Sequence, residues 1–317
     1  MDIENKFKNF TGNILFNYSL KKLNWFNIGG ITKIYFKPNS LNELIEFLKL
    51  YKDNNSLFVI GAGSNILFND DIFDGAVIKL TKNFSRISLL NQNTIIAGSG
   101  VLDKTVSDFA MENSLGGFEF LSCIPGTIGG GIRMNSGCFG DEFKDILISV
   151  QAVNRSGEVL TIPAKDILFD YRSCSLPKDL IFLSATFKGK KNKKEKIKEK
   201  ILNLKVKKEK AQPTRIKTGG STFKNPIKQT NKKVWEIIKE SVPNDVQFGD
   251  AAISNKHMNF FINKGNASYK DMKKLIDFVQ NSVKKKTGIK LEMEVKIEGK
   301  IIDSKRLGEI KYINFPC

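Results

Sequence analysis

The stretch Leu57-Phe58-Val59-Ile60-Gly61-Ala62-Gly63-Ser64-Asn65-Ile66-Leu67-Phe68-Asn69-Asp70 restricts what this chain can fold into more than any other. Four apolar, strand-forming residues run straight into Gly61-Ala62-Gly63. A buried strand must therefore end in a turn whose backbone can approach a bulky anion without interference from a Cβ. A glycine fingerprint of the doubly wound kind needs a third glycine three residues on and a helix opening at once. Here Ser64-Asn65 follow instead, and Ile66-Leu67-Phe68 return to an extended apolar pattern. Two readings fit: a cradle with backbone N–H groups aimed at a phosphate, or a plain tight hairpin.

A chain of 317 residues has room for two or three domains with real cores. Its start, Met1-Asp2-Ile3-Glu4-Asn5, lacks a basic n-region and an apolar h-region, and no run of about 18 uncharged apolar residues occurs. A soluble, cytoplasmic protein is expected. Cys123, Cys138, Cys174 and Cys317 are scattered with no CxxC pair, so neither a disulfide framework nor a structural metal site is expected. The net charge of +18 invites a nucleic-acid reading, but half of it sits between Lys188 and Lys210, where twelve lysines face three glutamates. Only six arginines occur in the chain, whereas direct base readout leans on arginine. Small anionic ligands explain the charge better than a polymer partner.

Along the chain, paired glycines Gly29-Gly30 precede an apolar strand from Ile31 to Phe36. Ser40 then caps a helix through Leu41, Leu44, Ile45, Phe47 and Leu48, which leads into the strand Leu57 to Ile60. This first unit is β-α-β with the glycine turn at its end. Short alternating strands at Val77–Leu80 and Thr94–Gly98 follow, then a helix from about Leu102 to Glu112. A second glycine-rich stretch, Ile124-Pro125-Gly126-Thr127-Ile128-Gly129-Gly130-Gly131, has Asn135-Ser136-Gly137 close behind. Four glycines in six residues exceed what packing alone asks for, and with the first turn they point to one shared cofactor site; an irregular loop with positive φ values is the plainer alternative.

Strands recur at Ile148–Asn154, Val159–Ile162 and Leu180–Phe187, with Phe169-Asp170-Tyr171-Arg172-Ser173 between them. The lysine run reads as an exposed, partly helical connection. Beyond it lie Gly219-Gly220-Ser221-Thr222-Phe223-Lys224-Asn225-Pro226, a helix through Val234 and Ile238, and a β-like stretch from His257 to Asn263. A long helix then runs from Met272 to Val283, and a strand is expected from Ile289 to Ile297.

Seven of these pieces, in order, resemble the flavin-dependent UDP-N-acetylenolpyruvoylglucosamine reductases (MurB): Asn27-Ile28-Gly29-Gly30, Gly61 to Asn65, Ile124 to Gly131, Asn135-Ser136-Gly137, Tyr171-Arg172, Gly220 to Pro226 and Leu291-Glu292-Met293-Glu294-Val295. The resemblance implies an α+β fold: an FAD-binding module of the p-cresol methylhydroxylase type in two subdomains, 1–75 and 76–190, then a basic linker, 191–211, a MurB-type substrate-binding domain, 212–299, and a tail, 300–317. It implies FAD as cofactor, NADPH as reductant, and a small-molecule substrate, UDP-N-acetylglucosamine enolpyruvate, reduced in peptidoglycan precursor synthesis. A monomer with no nucleic-acid or membrane partner is expected. Only seven residues separate Arg172 from Leu180, so the chain looks like the shorter form of the family, without the loop that places an extra tyrosine. Phe139 departs from the family's usual tyrosine.

The resemblance assigns the cofactor to Asn27, Gly29, Gly61, Ala62, Gly63, Ser64, Asn65, Pro125, Gly126, Thr127, Gly129, Gly130, Asn135 and Gly137. It assigns catalysis to Arg172, Ser221 and Glu294, with Ser221 as proton donor. Taken alone, Ser221 is a turn hydroxyl, and strand alternation cannot choose between Glu292 and Glu294; the family pattern selects Glu294. Tyr171, Lys217, Lys224, Asn225 and His257 fall on the substrate side, although a structural histidine fits His257 as well as a substrate contact does. Two other classes compete: another flavin oxidase of the same module acting on a sugar alcohol, and a basic polyanion-binding protein resting on the lysine run.

Overall fold

The structure, a computed structural model, describes residue 5 and residues 7–51, 56–213, 216–243 and 245–299. The expected tail at 300–317 lies outside the described residues. Helices and strands both contribute, as an α+β fold requires.

The first sheet has strand order Asn13–Ser19, Ile31–Lys37, Phe73–Ile78, Ser56–Val59, the first pair antiparallel and the rest parallel. Helix α1 (Leu41–Leu50) starts where Ser40 Oγ accepts the Glu43 N–H at 3.2 Å and buries Leu44, Phe47 and Leu48. Against it Phe36 stacks on Phe47 with ring centroids 4.3 Å apart, a contact worth about 0.5–1.5 kcal/mol beyond its area. Ser56–Val59 pairs with Phe73–Ile78, whereas Ile66–Phe68 pairs in parallel with Lys296–Glu298 near the other end of the chain. The turn at Gly61–Asn65 therefore passes from one sheet to another, which removes the hairpin alternative.

The second sheet is antiparallel, ordered Val159–Pro163, Leu147–Val153, Ile181–Lys188, Thr94–Gly98, Ile87–Asn91. Helices α2 (Asp103–Glu112) and α3 (Ile128–Arg133) belong with it, and Val106, Ile128, Ile132 and Phe143 share its core. The second glycine stretch is thus partly helical rather than an irregular loop. Gly131 is there for packing: a Cβ would run into the Phe143 ring. Gly130 meets nothing closer than Thr127 Oγ1 at 3.7 Å, so it leaves open space.

The lysine run differs from the expected exposed connection. It forms one helix, α4 (Lys194–Ala211), whose residues Ile197, Ile201 and Leu204 are buried at helical spacing, and the helix lies against the turn Glu119–Cys123. The lysines hide this apolar stripe in the sequence because they occupy every other face. Long aliphatic stems let most of them flank it while their ammonium groups stay in water.

The third unit has an antiparallel sheet ordered Thr218–Ser221, His257–Asn263, Ala251–Ser254, Gln247–Phe248, packed by α5 (Val234–Ser241) and α6 (Tyr269–Thr287). Ser268 and Asp271 form a capping box at the start of α6, and Gly288, at φ 76°, ends it in the left-handed conformation. The expected strand Ile289–Ile297 is confined to Lys296–Glu298. Before it the backbone is held piecemeal, by a single bridge between Phe223 and Met293 and by the Lys224 N–H on the Glu292 carbonyl at 2.9 Å. Phe26, Ile28 and Leu67 of the first unit lie in the third unit's core, so these two units are packed together.

Candidate active site

The two glycine segments face each other. A Cβ on Gly61 would collide with Thr127 Oγ1, so the residue that opens the first turn must be bare for the second loop to approach. The second loop is fixed from behind by Ser99–Asp103: the N–H groups of Ile128 and Gly129 donate to Val101 and Ser99 carbonyls at 2.9 Å, and Asp103 N–H donates to Gly126 at 3.1 Å. Between the segments lies a cavity of about 1320 Å³, walled by both of them and by residues 218–221 and 291–299 of the third unit. That exceeds the span of roughly 300–1,000 Å³ of a site for one drug-sized molecule.

Three residues from distant parts of the chain, Arg172, Ser221 and Glu294, border the cavity. Arg172 stands at the tip of the hairpin Phe169–Asp170/Ser173–Cys174 with φ 56°, a conformation that costs a non-glycine residue about 1–3 kcal/mol. Its Nε donates to Glu294 Oε1 at 2.8 Å, its Nη2 donates to the Gly137 carbonyl at 3.0 Å, and its guanidinium lies 4.9 Å from the Tyr171 ring centroid. Glu294 is placed by backbone: its N–H donates to the Thr222 carbonyl at 2.9 Å, and its carbonyl accepts from Asn65 Nδ2 at 3.1 Å. Ser221 immediately precedes Thr222, and its hydroxyl has no hydrogen-bond partner among the described residues. Burial pushes the Glu294 carboxyl above the ordinary carboxylate range, with Arg172 and then Lys224 and Lys296 pulling it back.

Known proteins resemble this chain over most of its length. Residues 32–163 match the model of an FAD binding domain, and residues 212–298 match the C-terminal domain of UDP-N-acetylenolpyruvoylglucosamine reductase. A UDP-N-acetylenolpyruvoylglucosamine reductase of Pelagibacter ubique is 62% identical over 293 residues, 92% of this chain and 97% of the relative. The corresponding protein of Rickettsia bellii is 42% identical over 285 residues, 90% of this chain and 93% of its own. The crystal structure of the enzyme (MurB) from Thermus caldophilus superposes with a TM-score of 0.77 at 28% identity, covering 90% of this chain and 98% of that one. The chain belongs to the UDP-N-acetylenolpyruvoylglucosamine reductase family.

Residues of this MurB-family cleft fit an FAD. Gly61, Ala62, Gly63, Ser64, Asn65, Pro125, Gly126, Thr127, Gly129, Gly130 and Gly137 all border it, and so do Arg172, Ser221, Lys224 and Glu294. Seven residues that the family resemblance had assigned to ligands lie outside the lining. Asn27 is exposed at φ 57°, and Gly29 is packed on Phe68. Asn135 is fully buried, with Nδ2 donating to Glu142 Oε2 and the Asp170 carbonyl and Oδ1 accepting from Lys144 N–H, so it holds the second loop in place. Asn225 accepts the Val234 N–H at 3.0 Å at the start of α5 and reaches the Tyr171 hydroxyl at 3.4 Å. Lys217 Nζ donates to the Gly265 carbonyl, and His257 Nδ1 accepts the Asn259 N–H while its ring meets Phe260 edge-on.

The sequence concealed other members of the MurB-family cleft. Asp103 borders it fully buried, and neither carboxyl oxygen has a partner among the described residues; burial raises its pKa well above the ordinary range. Lys208 reaches the cleft from α4 and donates to the Cys123 carbonyl at 2.7 Å. Nothing in a lysine-rich run marks that one lysine from its neighbours; only the buried stripe of α4 decides which face turns inward.

Proposed function

We propose that this chain reduces UDP-N-acetylglucosamine enolpyruvate to UDP-N-acetylmuramate with NADPH as reductant and FAD as carrier. The observation that carries the reading is the Arg172–Glu294 pair, beside Ser221, at the wall of a cleft bounded by two glycine segments. Bound FAD supplies the hydride that the terminal vinyl carbon receives. The chain's own task is to hold the charge that then builds on the neighbouring carbon and its carboxylate.

Arg172 suits that task, since its planar and permanently charged fork keeps Nη1 available while Nε and Nη2 are engaged by Glu294 and Gly137. Glu294 orients the guanidinium. Ser221 delivers the proton to the carbon that carries the charge; its hydroxyl, otherwise without a partner among the described residues, has to be re-protonated through water. Lys224 borders the cleft 3.8 Å from Glu292 and is read as a cation for the diphosphate. Asn65 and Gly61 to Ser64 with Pro125 to Gly130 are read as the cofactor's cradle.

In this reading residues 1–75 and 76–190 are the two FAD-binding subdomains, and 212–299 is the substrate domain. The enzyme works as a cytoplasmic monomer without nucleic acid or membrane; among the described residues no helix is long and apolar enough to cross a membrane. Rapid mixing tests the proposal in two halves: the yellow protein bleaches with NADPH and regains colour with the enolpyruvyl sugar nucleotide. Recolouring only by oxygen, with the sugar nucleotide inert, would overturn it.

A further inference from the structure

Cys123 ends the short turn Glu119–Cys123, and Cys138 lies in the two-residue strand Gly137–Cys138; both side chains border the cleft, and the reduction uses neither. The segments are in direct contact. Cys138 Sγ donates to the Phe120 carbonyl at 3.3 Å, so its side chain lies against the turn that carries Cys123. Ser122 Oγ lies 3.7 Å from Cys123 Sγ, and Lys208 holds the Cys123 carbonyl. Cys174, by contrast, is buried in the apolar core of the second sheet.

We propose that Cys123 and Cys138 form a reversible redox pair, and that a hydroperoxide oxidises them to a disulfide that turns the site off. The neighbouring Cys138, foremost, lowers the Cys123 thiol below its ordinary range; burial opposes this, while Ser122, Lys208 and Lys205 add to it. That shift favours the thiolate, the nucleophilic form, at Cys123, while the pKa of Cys138, raised chiefly by Cys123, favours the protonated thiol there. Cys123 sulfur attacks one peroxide oxygen, the O–O bond breaks, and the departing alkoxide leaves as the alcohol after taking a proton from solvent. The sulfenic acid so formed is attacked by Cys138 sulfur; the S–S bond forms, the S–O bond breaks, and hydroxide leaves with the Cys138 proton as water. Two thiols have lost two electrons and one peroxide has gained them. A dithiol reverses the change by exchange.

The link to function is one residue long. Gly137, next to Cys138, offers the carbonyl that receives Arg172 Nη2 at 3.0 Å. Drawing Cys138 onto Cys123 shifts that carbonyl, and with it the guanidinium that holds Glu294. A displacement of the order of 1 Å near a reacting centre can cost about 100-fold.

The test treats the full-length holoenzyme with hydrogen peroxide and maps its peptides by mass spectrometry before and after dithiothreitol. Expected are a Cys123–Cys138 cross-link, loss of two free thiols, a several-fold fall in reductase turnover, and recovery of both on reduction. Cys123→Ser and Cys138→Ser each abolish the link, and Cys174→Ser keeps it. Should either serine variant fail to fold, the pH profile of alkylation at Cys123 in the unmodified protein replaces it, with half-maximal reactivity expected at a lower pH than for an ordinary thiol. No cross-link, a cross-link to Cys174 or between chains, a Cys123 that alkylates like a free thiol, or a linked enzyme with undiminished turnover would each overturn the proposal. The mapping stands apart from the reductase reading, because it needs no substrate.

Discussion

Arg172 Nε donates to Glu294 Oε1 at 2.8 Å although 122 residues separate them in the chain. The guanidinium is also tied to the Gly137 carbonyl, so it is fixed at two of its three nitrogens before any substrate arrives. A lysine can offer one point charge but not this fork. Arg172→Lys is therefore expected to lower kcat/KM by about 10²–10³, the loss seen when a charge-stabilising donor is removed. Steady-state kinetics with saturating NADPH check this, and wild-type values in the lysine variant would remove the fork from the argument.

Ser221→Ala separates the two half-reactions. The hydroxyl makes no hydrogen bond among the described residues, so its loss leaves no described group without a partner. Bleaching by NADPH is expected to continue at the wild-type rate, and recolouring by the sugar nucleotide to slow by about 10²–10⁴, the usual range for a positioned proton donor. Equal slowing of both halves would assign the residue to binding instead.

Much of this was legible from residue order because local signals and global fold agree. Ser40, Asp271 and Gly288 mark helix ends by chemistry that acts within one turn. What stayed hidden depended on partners far along the chain. The Ile289–Ile297 segment has the alternation of a strand, yet only its end joins a ladder, because Ile66–Phe68 is the edge it meets. That loss of alternation is also what separates two carboxylates: Glu292 has 75% of its side chain exposed and Glu294 only 16%. Asn135 and Asn225 carry family motifs but spend their amides on neighbouring backbone, and composition cannot tell a scaffold amide from a ligand-facing one. Asp103 was invisible for the opposite reason, since an aspartate opening a helix reads as a cap, not as a buried acid.

Two glycines with similar backbone angles should respond differently to alanine. Gly63 has φ 70° and Gly220 has φ 78°. Each alanine carries the left-handed penalty of about 1–2 kcal/mol. At Gly220 nothing stands within 4 Å of a new Cβ, whereas at Gly63 it would overlap the Leu23 carbonyl oxygen, and the backbone must shift. Gly63→Ala is thus expected to unfold in less denaturant than Gly220→Ala and to release FAD more readily. Equal midpoints in the two variants would show that the turn yields freely.

Glu298 makes stability depend on pH with a defined sign. It ends the strand that pairs with Ile66–Phe68, and its carbonyl receives the Asn69 N–H at 2.9 Å. Burial pushes its carboxyl up to about 7 from the ordinary 4.5, with Lys178 and Lys296 pulling the other way. Between those two pH values the folded chain binds more protons at this site than the unfolded chain does, so folding stability falls as pH rises through the window. The contribution is whole below 4.5 and is lost by the time pH passes 7. Glu298→Gln keeps the size and removes the titration. Its melting temperature is expected to change less between pH 5 and 7.5 than that of the wild type, with the two curves closest at the acid end and the variant the more stable at the alkaline end. Parallel curves across that range would mean that the carboxylate is solvated in the folded state.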